Sequence, residues 1–138
     1  MKFRQLESSF EKACFLDVLV SKPGNVSFSS PGHGMMAKQF IESSKAVRPF
    51  LFDKKKSLGR KIEESVNASF ETSECNTNLG IILLCAPLIQ ALQNLGNIDY
   101  DHQKETNDIF CILKSEIQTI LKNTTIEDTK YFFSGIKK

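Results

Sequence analysis

Leu79-Gly80-Ile81-Ile82-Leu83-Leu84-Cys85-Ala86-Pro87-Leu88-Ile89 is the most apolar run in the chain, and its apolar character persists to about Leu95. A helix that is apolar on nearly every side is buried among other elements. The run falls short of the roughly 20 residues that span a bilayer. Pro87 removes one backbone hydrogen bond and crowds the preceding turn, which predicts a kink. Outward from this segment, apolar residues recur at helical spacing. Upstream, Leu58, Ile62, Val66 and Phe70 mark one helix, with Ser65 and Ser69 small enough for close packing. Met36, Phe40, Ser43, Val47 and Leu51 mark another, and Phe3, Leu6, Phe10, Ala13, Cys14 and Val18 a first. Downstream, Ile109, Leu113, Ile117 and Leu121 mark a fifth, with Asp108 near its start and Lys122 near its end, as the helix dipole favours. Thr124 and Thr125, followed by Glu127 and Asp128, predict a capping box that opens a sixth. No segment alternates with period two. The expected fold class is all-α, about six helices packed around a central apolar helix in one domain over 1–138.

At 138 residues and 41% hydrophobic content the chain can bury a real core, and one domain is the default. Eighteen basic residues against 16 acidic ones leave a net charge of +2, which excludes nucleic-acid binding by bulk electrostatics. A local phosphate site remains open. The charged N-terminus lacks the apolar stretch of a signal peptide. Cys14, Cys75, Cys85 and Cys111 lie far apart without a Cys-x-x-Cys pair, so neither a disulfide framework nor a zinc site is expected. These features suit a cytoplasmic protein with reduced thiols and no membrane partner.

Four polar features interrupt the helical pattern. Asp17 extends the stripe Leu6, Phe10, Ala13 and is expected on the core face, where a carboxylate needs a partner, a metal or a raised pKa. The plainer alternative is a helix-end Asp bonded to nearby backbone or to a lysine. Lys22-Pro23-Gly24-Asn25 joins a charge, a stiff turn and a glycine that lets backbone amides approach an anion. It reads either as a phosphate cradle or simply as a helix stop. Asn76-Thr77-Asn78-Leu79-Gly80 places three polar residues before the most apolar helix, where free N–H groups attract phosphate and Gly80 permits close approach. Plain N-capping would need one of the three. His33, flanked by Gly32 and Gly34 in a loop, suits an acid, a base or a phosphate donor. His102 receives no role.

Ala13-Cys14-Phe15-Leu16-Asp17-Val18, Lys22-Pro23-Gly24-Asn25-Val26 and Pro31-Gly32-His33-Gly34-Met35 resemble the opening of the triphosphoribosyl-dephospho-CoA synthase family. Ser57-Leu58-Gly59, Cys75-Asn76-Thr77-Asn78-Leu79-Gly80-Ile81 and Leu83-Leu84-Cys85-Ala86-Pro87-Leu88 continue the resemblance in order, and Thr124-Thr125-x-x-Asp128 looks like the next signature. The resemblance implies an all-helical fold. It also implies transfer of the triphosphoribosyl group of ATP to 3′-dephospho-CoA or a related alcohol, with release of adenine. The Pro-Gly-His-Gly-Met form is closer to relatives whose substrate is undefined. On this resemblance Asp17 is the carboxylate near the anomeric carbon or a Mg²⁺ ligand. Lys22, Gly24, Asn25 and the Asn76, Thr77, Asn78 and Gly80 helix start hold phosphates, and His33 is a base or a phosphate contact. Mg²⁺ is expected with the triphosphate.

Members of that family run longer, through a Pro-Gly-Gly-Leu-Gly segment and further helices, whereas this sequence ends at Gly135-Ile136-Lys137-Lys138. The resemblance therefore implies the N-terminal part of a larger helical fold, with apolar surface that a second copy or a separate C-terminal half would cover. The alternative function is an inactive helical fragment that binds a nucleotide or a partner chain.

Overall fold

The computed structural model describes residues 3–32, 34–96 and 106–137. They form six helices, α1 (Phe3–Leu19), α2 (Ala37–Leu51), α3 (Leu58–Ser73), α4 (Leu79–Leu95), α5 (Thr106–Lys122) and α6 (Ile126–Ile136). There is no strand among the described residues, and the fold is all-α. No described helix is long and apolar enough to cross a membrane. α4 runs unbroken through Pro87, and α2 likewise contains Pro49. The four cysteines are free thiols.

Each helix contributes one stripe to a shared core. α1 buries Phe10, Cys14 and Val18, spaced at i, i+4 and i+8. All three belong to the expected stripe, but it is narrower than expected: Ala13 is exposed, and Asp17 flanks the core instead of pointing into it. α2 adds Val47 and Leu51, α3 adds Leu58, Ile62 and Val66, and α4 adds Ile82, Ala86, Ile89 and Ala91. Phe10 and Phe52 meet edge to face with centroids 5.9 Å apart. On the rim, Arg48 of α2 grips Glu7 at 2.8 Å and Glu11 at 2.7 Å on α1.

α4 packs against α1, α2, α3 and α5, so it is central by its neighbours. It is not buried on every side, because Leu84 is 75% exposed. The most buried helix is α3, whose inner face is built largely of small residues, Gly59, Ser65, Ala68, Ser69 and Ser73. Small side chains let the α2 and α3 backbones approach, as Ser65 and Ser69 suggested. α5 packs mainly on α4 and leaves Phe110, Ile112 and Leu121 exposed; Ile126 and Phe133 of α6 are exposed as well.

α3 also buries Lys61, which is 1% exposed. Its ammonium donates to Gln93 Oε1 at 3.0 Å, and Gln93 Nε2 donates to the Phe52 carbonyl at 2.9 Å. Burial, opposed by attraction to Asp53, lowers the Lys61 pKa from 10.5 to about 8. The unfolded chain then binds more protons than the folded one between about pH 8 and 10.5, so this group makes stability rise with pH across that window. At about 1.4 kcal/mol per unit the full effect is on the order of 3 kcal/mol. Lys61→Met is expected to abolish this rise. Urea melts of both proteins at pH 7.5 and 10 read the difference, and parallel pH dependences would refute it.

α6 opens with the predicted capping box, now assigned to Thr125 and Asp128. Asp128 N–H donates to Thr125 Oγ1 at 3.1 Å, and Thr125 N–H donates to Asp128 Oδ2 at 3.0 Å. Asp128 Oδ1 also accepts from the Gly59 N–H at 2.9 Å, so one carboxylate caps α6 and ties it to the first turn of α3.

Candidate functional site

Asp17 lies in the last turn of α1, where helix carbonyls lack intrahelical partners. The following loop turns back to meet them. Asn25 N–H donates to the Lys22 carbonyl at 3.1 Å, closing a turn around Pro23 and Gly24. Gly24 has φ +74°, and Pro followed by a residue of positive φ is the type II turn pattern. The turn carries Asn25 onto α1, where its Nδ2 donates to the Asp17 carbonyl at 3.1 Å. It also brings Lys22 Nζ to Asp17 Oδ1 at 2.5 Å. The carboxylate thus has a lysine partner, the plainer of the expected arrangements. Both side chains are partly exposed, 45% for Lys22 and 30% for Asp17, so the pair opens at small cost.

The segment between α3 and α4 supplies the second wall. Glu74 and Asn78 both adopt left-handed backbone, with φ of 54° and 58°. These two reversals bring the chain from the end of α3 into α4. Buried hydroxyls hold the segment. Ser69 Oγ donates to the Thr77 carbonyl at 2.9 Å, Ser73 Oγ lies 3.1 Å from Thr77 Oγ1, and Thr77 Oγ1 donates to Ser43 Oγ at 2.8 Å. Asn78 Nδ2 donates to the Phe40 carbonyl at 2.7 Å and to Ser43 Oγ at 2.8 Å. None of these side chains caps α4, whose first backbone bond runs from Ile82 N–H to the Asn78 carbonyl. The preceding N–H groups are those that a helix start leaves for an anion.

Asp17, Asn76, Asn78 and Gly80 meet here with Phe40, Leu79 and Ile81 around a groove of about 340 Å³. Four of the residues singled out from the sequence therefore share one site. Lys22 and Asn25 attach to it through Asp17. Gly24 shapes the turn and is not a wall of the groove. Thr77, 1% exposed, faces inward and braces the segment. His33 lies outside the described residues. Asn76 and Gly80 are exposed, while Asn78 is buried and its Oδ1 has no hydrogen-bond donor. Cys14 lies behind Asp17. Burial, reinforced by Cys85 and Asp17, pushes its thiol up to about 12, so it is no nucleophile.

The groove combines one carboxylate, one movable ammonium and a free helix start. It can receive an anionic group at α4 in the same groove as the Asp17 carboxylate. Among the described residues no three His, Cys, Asp or Glu gather as metal ligands. Asp17 alone fits an ion that arrives on a polyphosphate, because Mg²⁺ commonly takes one or two carboxylates together with substrate phosphates. Ser43, Ser69 and Ser73 were not among the expected site residues. The available signal was polar residues on otherwise apolar helical stripes, as with Ser43 between Phe40 and Val47.

No curated protein and no solved structure matches the chain. The family of ATP:dephospho-CoA triphosphoribosyl transferases, CitG, matches residues 3–138. That span includes both walls of the groove and the α6 cap, in the order in which the signatures were read, and by this match the chain belongs to the ATP:dephospho-CoA triphosphoribosyl transferase family.

Proposed function

We propose that the chain transfers the triphosphoribosyl group of ATP to the 2′-hydroxyl of 3′-dephospho-CoA, or of a related alcohol, and releases adenine. The observation that carries this reading is the meeting of Asp17 with the uncapped start of α4 in one groove. In the reaction the ribose C1′–N9 bond breaks and adenine leaves with the electron pair, taking up a proton. The acceptor oxygen bonds to C1′ and loses its proton. Positive charge develops on the ribose ring, as in glycoside cleavage, and a carboxylate stabilises it. Asp17 supplies that carboxylate or holds the Mg²⁺ carried by the triphosphate. The α4 N–H groups and the exposed Asn76 and Gly80 receive phosphate oxygens. Lys22 leaves Asp17 to pair with the triphosphate, an exchange that partial exposure of both groups permits. Asn25 keeps the loop on α1, and His33 serves as base or phosphate contact.

The direct test is adenine release by the purified chain from ATP and Mg²⁺, with and without dephospho-CoA. Release that depends on dephospho-CoA is the expected result. ATP binding by calorimetry without adenine release under either condition would overturn the transferase reading in favour of a nucleotide-binding helical protein.

A further inference from the structure

We propose that Ser43 is a positioning residue of this groove: its hydroxyl fixes the Asn78 side chain and, with it, the first turn of α4. The proposal rests on the reading of the groove as the ATP site. Ser43 lies on α2, is 0% exposed and is not a wall of the groove. A hydroxyl has one proton and two lone pairs. The proton goes to the Phe40 carbonyl at 3.2 Å. The lone pairs accept from Thr77 Oγ1 and Asn78 Nδ2, each at 2.8 Å. One buried atom thus holds the two consecutive residues that lead into α4.

The consequence falls on Asn78. Its Nδ2 has two protons, and Phe40 and Ser43 take both. Flipping the amide would set Oδ1 against the Phe40 carbonyl oxygen, two acceptors with no proton between them. Oδ1 is therefore the atom left over, buried and without a donor, on a residue that is 5% exposed and forms part of the groove wall. With Ser43 in place the Asn78 side chain is held at the groove wall, while the α4 N–H groups remain for phosphate. Without Ser43 the amide loses one of its two anchors, and its left-handed backbone loses the contact that braces it.

Ser44 provides the control. It is 2% exposed, and its Oγ donates to the Ile41 carbonyl at 2.7 Å, the same back-bond to its own helix. Ser43→Ala, Ser44→Ala and Ser43→Thr are compared in the full chain. Ser43→Ala is expected to lower kcat/KM for ATP at least tenfold while its thermal midpoint falls no further than that of Ser44→Ala. Ser43→Thr, which keeps the hydroxyl, restores part of the loss. Amide exchange at residues 82–84, whose N–H groups make the first backbone bonds of α4, is expected to accelerate in Ser43→Ala alone. Equal kcat/KM for the two alanine variants would overturn the proposal. If the wild-type chain releases no adenine, the functional reading fails separately and exchange decides: unchanged protection at 82–84 in Ser43→Ala refutes the positioning role. Should Ser43→Ala not fold, Ser43→Cys, close in volume and weaker as a hydrogen-bonding group, is read in the same way.

Discussion

Asp17→Asn is expected to abolish adenine release, by at least about 100-fold in kcat, and to leave the fold intact. The two halves of this expectation have different origins. Asn matches Asp in shape and keeps the backbone bond from Asn25, which goes to the Asp17 carbonyl and not to its side chain. The lost ion pair with Lys22 is partly exposed, so it contributes no more than about 1 kcal/mol to stability. The chemical loss is larger because a fixed charge facing a developing opposite charge acts in the transition state, where removing one such group costs about 10²–10³ in rate. Adenine release and thermal melting of the same preparation check both halves. Full activity in the variant removes Asp17 from the mechanism. A large fall in melting temperature would assign it to the fold instead. Lys22→Ala separates the roles further: it leaves Asp17 unpaired and is expected to raise KM for ATP more than it lowers kcat.

Gly59→Ala is expected to destabilise the protein by about 3 kcal/mol or more, roughly 10 °C in midpoint for a chain of this size. A Cβ at position 59 would overlap the Asp128 carbonyl oxygen and lie 2.5 Å from its Cα and 2.7 Å from its carbonyl carbon. These are backbone atoms and cannot rotate away, so α6 must move off α3. Moving it breaks the bond from Gly59 N–H to Asp128 Oδ1 and leaves a buried carboxylate short of a donor. At the other end of the same contact, a Cβ on Gly135 would sit 3.1 Å from the Glu63 Cα. The two glycines let the helices lie backbone to backbone.

Acid should attack the same joint. Burial would raise the Asp128 pKa, but hydrogen bonds from Ser57, Thr125 and Gly59 outweigh it and hold the group at about 2, below its ordinary 3.8. A depressed carboxylate stabilises the fold above its unfolded pKa, and that stability is lost as pH falls from about 3.8 to about 2. The amount is on the order of 2 kcal/mol. Asp128→Asn should already be weakened at pH 7 and show a smaller further loss across that interval. Urea melts at pH 5 and pH 2.5 check this, and equal acid sensitivity of both proteins would refute it.

Much of this molecule was legible one helix at a time. Helical periodicity is a local property, so the stripes through Val47 and Ile62, the apolar run from Leu79 and the cap at Thr125 and Asp128 could be read without knowing what they touch. The polar breaks at Lys22–Asn25 and Asn76–Asn78 were legible for the same reason, because left-handed and turn conformations are local demands on particular residue types. The direction each polar side chain takes was not. Asp17 was assigned to the core face because it continues Leu6, Phe10 and Ala13, yet the buried stripe runs through Cys14 and Val18. Which of two adjacent stripes is buried depends on where α2 and α4 lie against α1. Thr77 and Asn78 face inward because Ser43 meets them across 34 and 35 residues of sequence. Gly59 is obligatory because Asp128 crosses it from 69 residues away. The sequence by itself determined which segments are helices, where they break and which polar residues belong to the breaks, since these follow from short-range sterics and hydrogen bonding. Only the tertiary structure decided which of those residues brace the fold and which face the groove, because that depends on long-range packing, which no local pattern encodes.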